Sequence, residues 1–124
     1  MRASFVARGF VGEREHLKEL IKAAIMHKGY ALIDILQPCV TFNRVNTYQW
    51  YKERVYKLGD DYDPTDYMAA MEKANEWGHR IPIGIIYKEE KKTFRERLAI
   101  ADEGPLVGRN INPAEYSFLL DEFR

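Results

Sequence analysis

The run Gly29-Tyr-Ala-Leu-Ile-Asp-Ile-Leu-Gln-Pro-Cys-Val-Thr-Phe-Asn43 constrains the fold more than any other part of the chain. Its apolar, β-branched centre reads as a strand over residues 30–36. Pro38 has no backbone N–H with which to continue a ladder, so the strand stops before it. Cys39, the only cysteine of 124 residues, then lies just past the strand's carboxyl end. In open α/β sheets that is where ligands and cofactors gather.

What precedes this strand completes a recognisable unit. Residues 3–8 are short, apolar and followed by Gly9, and read as a first strand. Residues 13–28 read as a helix, because Leu17, Leu20, Ile21, Ala24 and Ile25 repeat on one face. Glu13 and Glu15 sit at its positive end, Lys28 at its negative end, and Gly29 suits the C′ position. Two strands joined by a helix make a parallel, right-handed βαβ unit. Asp34 interrupts the second strand's apolar face, which implies an ion pair at the sheet edge or a turn toward solvent.

Beyond Asn43 the character changes to Tyr, Trp, Lys and Arg. Thr47 is placed to cap a helix reaching Leu58, ended by Gly59. Residues 60–64 form an acidic turn, and Thr65 or Asp63 is placed to cap a helix over residues 66–77. Residues 81–87 read as a third strand, with Pro82 at its start or on an edge. Thr93 opens a short helix to about Ala101, residues 104–112 are loop, and Pro113 begins a last helical segment over residues 114–123.

Composition removes several function classes. Nineteen basic and nineteen acidic residues cancel, so no global field draws the chain to nucleic acid or to an anionic membrane. No apolar run approaches the roughly 20 residues of a membrane span, and Met1 opens no signal-peptide pattern. A single cysteine excludes an internal disulfide and fits a reducing cytoplasm.

Few residues point to chemistry by themselves. A solitary cysteine ordinarily behaves as a small buried hydrophobe, and one thiolate cannot hold an iron–sulfur cluster, which takes four. Asp61, Asp63, Thr65 and Glu72 follow a calcium-loop spacing, but Asp66 stands where the sharp turn needs glycine. Trp50, Tyr51 and Tyr56 interleave with Lys52, Arg54 and Lys57, as docking surfaces do. Glu53 and the acidic stretch after it dilute that charge, so a packed amphipathic helix is the favoured reading. His16, His27 and His79 are scattered among cations and read as surface residues, and no Ser/His/Asp or Cys/His arrangement emerges.

Three segments carry a resemblance: Phe5-Val-Ala-Arg-Gly9, His16-Leu-Lys-Glu-Leu-Ile-Lys22 and Leu32-Ile-Asp-Ile-Leu-Gln-Pro-Cys-Val-Thr-Phe-Asn43. Asn46-Thr-Tyr-Gln-Trp-Tyr-Lys-Glu-Arg-Val-Tyr-Lys-Leu58 and Trp77-Gly-His-Arg-Ile-Pro-Ile-Gly-Ile-Ile-Tyr87 continue it in the same order. Together they resemble the C-terminal portion of the beta subunit of 2-oxoacid:ferredoxin oxidoreductases. Such enzymes oxidatively decarboxylate a 2-oxoacid to an acyl-coenzyme A and pass the electrons through iron–sulfur clusters to ferredoxin. The family's Cys-x-x-Cys pair, its further cysteine and its Gly-Asp-Gly segment for magnesium and thiamine diphosphate have no counterpart in this sequence.

The resemblance implies an α/β fold with a partial parallel sheet. Residues 1–45 would be the C-terminal βαβ part of a thiamine-diphosphate-binding domain, and residues 46–124 an extension with helices and one strand. It implies that Cys39 is a metal ligand, the fourth thiolate of a 4Fe–4S cluster, and it assigns no catalytic or other cofactor-binding residue here. Thiamine diphosphate and Mg belong to the intact enzyme, and the isolated chain is expected to bind none and to be inactive. Expected partners are the remaining beta-subunit segment, the alpha subunit, ferredoxin and coenzyme A, in the cytoplasm, with no nucleic acid and no membrane. The aromatic helix would help close the region around the cofactor and the partner subunit. The alternative is a non-catalytic interaction module, or truncated remnant, docking to a partner subunit. A fragment of a larger sheet also leaves Phe5, Val6, Leu32, Ile33, Ile35 and Leu36 partly uncovered, which favours a homo-oligomer.

Overall fold

The computed structural model describes residues 3–98, 100, 104–108 and 112–123. Strand β1 (Phe5–Phe10), helix α1 (Arg14–Met26) and strand β2 (Ala31–Leu36) form the expected parallel βαβ unit, in register from Phe5 opposite Ala31 to Phe10 opposite Leu36. Leu20 of α1 is buried against Phe5 and Ala7, with Ala23, Ala24 and Ile33 packed around them. Phe5, expected to be partly uncovered, therefore lies beneath α1 at 1% exposure. The helix stops two residues short of Lys28 for a local reason. His27 bonds Ser4 Oγ at 2.8 Å and its ring lies 5.3 Å from that of Phe5, so the chain turns extended there.

After β2 come α2 (Tyr48–Lys52), β3 (Val55–Lys57), α3 (Tyr67–Asn75) and β4 (Ile81–Lys88). The helix expected to reach Leu58 is thus five residues long. Thr47 caps it as expected, its Oγ1 accepting from Trp50 N at 3.3 Å. Arg54 then closes the end by donating to Trp50 O at 2.9 Å and lying 4.5 Å over the indole. Val55 and Tyr56, residues that favour strands, pair in parallel with β4 instead of continuing the helix. Asp66, rather than Thr65 or Asp63, caps α3: its Oδ1 accepts from Met68 N and Ala69 N at 2.8 and 3.1 Å. Asp63 is engaged by Thr65, whose N–H and hydroxyl both donate to it.

The sheet runs β2-β1-β4-β3, so β3 and β4 share it with the βαβ unit. β4 is antiparallel to β1, which makes the sheet mixed. Pro82 is the second residue of β4, near its start as expected, but in an interior strand. Among the described residues β2 and β3 are the edges. Three apolar clusters hold the layers. Phe5 and Ala7 pack against Leu20 of α1, while Ile86 and Tyr87 pack against Ala70 of α3. Phe10, Leu36, Ile81 and Ile83 are covered by Val11, Trp50, Tyr51 and Val55.

The chain divides into two compact units, one ending at Thr93 and the other beginning at Phe94. The second holds α4 (Phe94–Arg97) and 3-10 segments at Leu106–Gly108 and Pro113–Phe123. The short helix expected to reach Ala101 ends at Arg97, and Ala101 lies outside the described residues. Pro113 does begin the last segment, where Asn112 Oδ1 accepts from Ala114 N at 3.2 Å. No helix among the described residues is long and apolar enough to cross a membrane.

Candidate functional site

Leu36, the last residue of β2, is anchored in the cluster with Phe10, Ile81 and Ile83. The chain therefore leaves the sheet from a fixed point, passes Pro38, and presents Cys39 as an exposed free thiol. Asn43 N donates to Cys39 O at 3.0 Å and closes the turn. The Asn43 side chain ties down the next segment, its Oδ1 accepting from Val45 N and Asn46 N at 3.0 and 2.9 Å.

This turn directs backbone N–H groups at the thiol. The Phe42 N–H is the strongest influence holding the Cys39 pKa below its ordinary value, followed by Thr41, with Asn43 adding less and desolvation opposing them. Such a site favours the thiolate, the form that ligates metal. Around it Val40, Phe42 and Val45 are 83%, 91% and 74% exposed.

An aromatic frame packs on Phe10, in the same apolar cluster as Leu36. Phe10 lies 5.3 Å from Tyr48 and 5.9 Å from Tyr51, and Tyr51 meets the edges of Trp50 and Trp77 at 5.0 and 6.5 Å. Gly12 makes this approach possible, because a Cβ there would run into the Phe10 ring and come within 2.8 Å of the Tyr48 hydroxyl. Trp50 and Tyr51 thus act as packed residues, as the amphipathic reading has it.

The remaining sequence candidates are not brought together. Asp63 and Asp66 serve the turn and the α3 cap, and no group of three or more His, Cys, Asp or Glu among the described residues is placed to hold a metal ion. His79 is exposed as expected, but His16 and His27 are partly buried. Burial is the main cause that lowers the His16 pKa, with the Lys57 charge acting in the same direction.

Two polar clusters join residues that the sequence did not pair, although Asp34 was expected either to find a partner at the sheet edge or to face solvent. Arg8 Nε pairs with Asp34 Oδ2 at 2.8 Å, and its Nη2 donates to Ala74 O at 3.1 Å. Tyr56 OH donates to Glu76 Oε2 at 2.7 Å, while Lys73 Nζ donates to both of them at 3.0 and 2.8 Å. The i,i+3 spacing of Lys73 and Glu76 was a readable signal. Tyr56 gave none, since its part depends on the unexpected strand β3.

Residues 39–103, opening at Cys39 itself, match the family model for the C-terminal part of the pyruvate ferredoxin oxidoreductase beta subunit. The chain belongs to that family. Among curated proteins it is 50% identical over 107 residues to a 2-oxoacid:ferredoxin oxidoreductase subunit beta of Sulfolobus sp, covering 77% of this chain and 35% of that protein. It is also 50% identical over 108 residues to 2-oxoacid:ferredoxin oxidoreductase 1, subunit beta, of Aeropyrum pernix, covering 77% and 34%. Among solved structures, it resembles the 2-oxoglutarate:ferredoxin oxidoreductase of Magnetococcus marinus, which was solved with 2-oxoglutarate, coenzyme A and succinyl-CoA bound. The TM-score is 0.76 at 37% identity, over 86% of this chain and 38% of that one. This family member therefore spans about a third of the length of the relatives it matches.

Proposed function

We propose that this chain serves as the C-terminal part of the beta subunit of a cytoplasmic 2-oxoacid:ferredoxin oxidoreductase and gives one thiolate, Cys39, to a 4Fe–4S cluster. The observation that carries the reading is the Cys39 turn. A free, exposed thiol follows an anchored strand end, backbone N–H groups favour its thiolate, and apolar residues flank it. Those features fit one ligand of a shared cluster, with the other three supplied from outside this chain. The cluster would relay electrons toward ferredoxin when bound.

Each part of the chain has its own task in that setting. Leu36 and Pro38 fix where the thiol emerges, Asn43 holds the turn, and the exposed Val40 and Phe42 would help shield a cluster from water once the subunit is assembled. Thiamine diphosphate and magnesium would be held by the preceding part of the subunit. The alpha subunit, coenzyme A and ferredoxin would be partners of the whole enzyme, which converts a 2-oxoacid to an acyl-coenzyme A. Alone, this chain would be inactive and would bind no thiamine diphosphate.

A second reading, a non-catalytic module docking to a partner subunit, draws on the exposed apolar edge of β2. Iron separates the two. The chain is to be co-produced with the preceding segment of a family beta subunit, and iron, sulfide and visible absorption measured for the native sequence and Cys39→Ser. The cluster reading expects absorption near 400 nm that the substitution removes or halves. Equal iron content in both would overturn it and leave the docking reading.

A further inference from the structure

Sheet topology brings two arginines together at the end of the sheet that carries Cys39. β1 and β2 run parallel and β4 runs antiparallel to β1, so β4 begins where β2 stops. β3 is parallel to β4, with Val55 opposite Ile81, and Ile81 N donates to Arg54 O at 2.9 Å. Arg54 and Arg80 immediately precede these two strands and therefore stand side by side at that end. Strands about 4.8 Å apart set them roughly 10–15 Å from β2 across the sheet.

Each guanidinium is held on an aromatic face. Arg54 lies 4.5 Å from the Trp50 ring and donates to Trp50 O. Arg80 lies 4.3 Å from the Tyr56 ring, whose hydroxyl is fixed in turn by Glu76 and Lys73. No hydrogen bond among the described residues engages Arg80. Its Nε is 3.9 Å from the Glu76 carboxylate, and its side chain is 70% exposed. Like charges on neighbouring strands repel, and Arg54, Lys73 and Arg80 outnumber Glu53 and Glu76 here. The result is a planar donor fork, pinned by stacking and open to solvent with its donors uncommitted.

We propose that the Arg54–Arg80 pair is the docking contact for the carboxylates of a transient acidic protein partner, the carrier that takes electrons from a cluster at Cys39. The proposal deepens the reading of the chain as a beta-subunit segment and rests on it for the identity of the carrier. Three features select this occupant. A small-molecule site is a concavity that buries most of its ligand, whereas Arg80 stands on open surface. A permanent subunit contact is mainly apolar, whereas redox encounters are small and steered by charge. A protein docked here also shares the end of the sheet with Cys39, where electrons would leave a cluster. The relatives are named for ferredoxin, which is therefore the carrier to test.

The test titrates ferredoxin of Sulfolobus sp, by calorimetry, into the full chain and into the chain co-produced with the preceding beta-subunit segment. Binding should weaken about tenfold as salt rises from about 0.02 to 0.2 M. Arg80→Gln should weaken it at least tenfold at low salt. Arg80→Lys keeps the charge but not the planar fork, and should weaken it at least threefold. Arg80 is exposed enough for both variants to fold, and neither should change the iron content of the co-produced protein. Ferredoxin whose carboxylates have been converted to amides should not bind. Affinity indifferent to salt and to both variants would overturn the proposal, as would full binding of the amidated ferredoxin. Displacement of ferredoxin by inorganic phosphate at constant ionic strength would also overturn it, marking a small-anion site. Absence of binding with iron present would remove the docking contact alone; absence of both would remove the reading beneath it.

Discussion

Arg8 on β1 and Asp34 on β2 stand opposite each other in the parallel register and pair through Nε and Oδ2 at 2.8 Å. The arginine side chain is 11% exposed and the aspartate 52%, so the pair joins a buried cation to a wet anion. The same guanidinium reaches Ala74 O on α3 and lies 5.6 Å from the Trp77 ring. One side chain therefore links both strands of the βαβ unit to the helix on the opposite layer from α1.

This asymmetry makes the two halves of the pair unequal. Asp34→Ala strands a largely buried guanidinium whose Nη1 already has no partner among the described residues. Leaving such a group unsatisfied costs about 1–3 kcal/mol, and the pair's wet side places the expected loss near 1 kcal/mol. Arg8→Met keeps the aliphatic packing and frees an aspartate that water can solvate, so it should cost less. Urea midpoints of the two variants measure the difference, and a larger loss for Arg8→Met would contradict the account.

Much of this was legible in the sequence. Leu17, Leu20 and Ala24 announced α1, and the run from Tyr30 to Pro38 announced β2 and the emergence of Cys39, because local periodicity decides both. Asp34 announced either a partner or solvent, and the partner proved to be Arg8. What the sequence hid was tertiary. Val55–Lys57 becomes a strand only because β4 lies beside it, and Tyr56 enters the Lys73–Glu76 pair only once that strand exists. Likewise, the cap choice among Asp63, Thr65 and Asp66 turned on which carboxylate the Asx turn had already engaged.

The Tyr56–Lys73–Glu76 cluster sets an expected pH dependence. Its hydrogen bond to Lys73 is the main cause that lowers the Glu76 pKa below 4.5, and the bond to Glu76 is the main cause that raises Lys73 above 10.5. A lowered carboxylate contributes stability that is present above its ordinary value and lost as pH falls through the folded value; a raised lysine contributes stability lost as pH rises through its folded value. The cluster is therefore at full strength between about pH 4.5 and 10.5. Glu76→Gln should be less stable than the native chain at pH 7, by about 1 kcal/mol. The gap should shrink below pH 4.5. A gap that stays constant down to pH 3 would show that Glu76 contributes no linked proton.

Gly84 sits within β4 at φ +142°, opposite Arg8 and next to the register shift at Val6/Ala7. A Cβ there would stand 3.3 Å from Leu58 Cβ. Gly84→Ala combines a backbone conformation that L residues rarely adopt with a close contact in the sheet's interior. The expected cost is about 1–3 kcal/mol. Gly78→Ala, also at positive φ but with nothing within 4 Å, carries the backbone cost alone and should lose less. Thermal midpoints that rank the two in the opposite order would remove the Leu58 contact from the explanation.

Phe42 offers a test in which folding and assembly give opposite answers. It is 91% exposed, so the isolated chain gains almost nothing from burying it. Phe42→Ser should shift the stability of this chain by no more than about 0.5 kcal/mol, as surface substitutions ordinarily do. The proposed setting changes that, because water would have to be kept from a cluster bound at Cys39 and Phe42 is the largest apolar residue of the turn that carries the thiol. Full burial of such a ring is worth on the order of 1.5–3 kcal/mol, so its loss should be felt only after assembly. In the chain joined to the preceding beta-subunit segment, Phe42→Ser should speed the bleaching of the 400 nm absorption in air several-fold. The iron content of the freshly prepared protein should stay close to native. Destabilisation of the isolated chain by more than 1 kcal/mol would mean that Phe42 packs within this fold. Unchanged bleaching would mean that the ring does not cover the cluster.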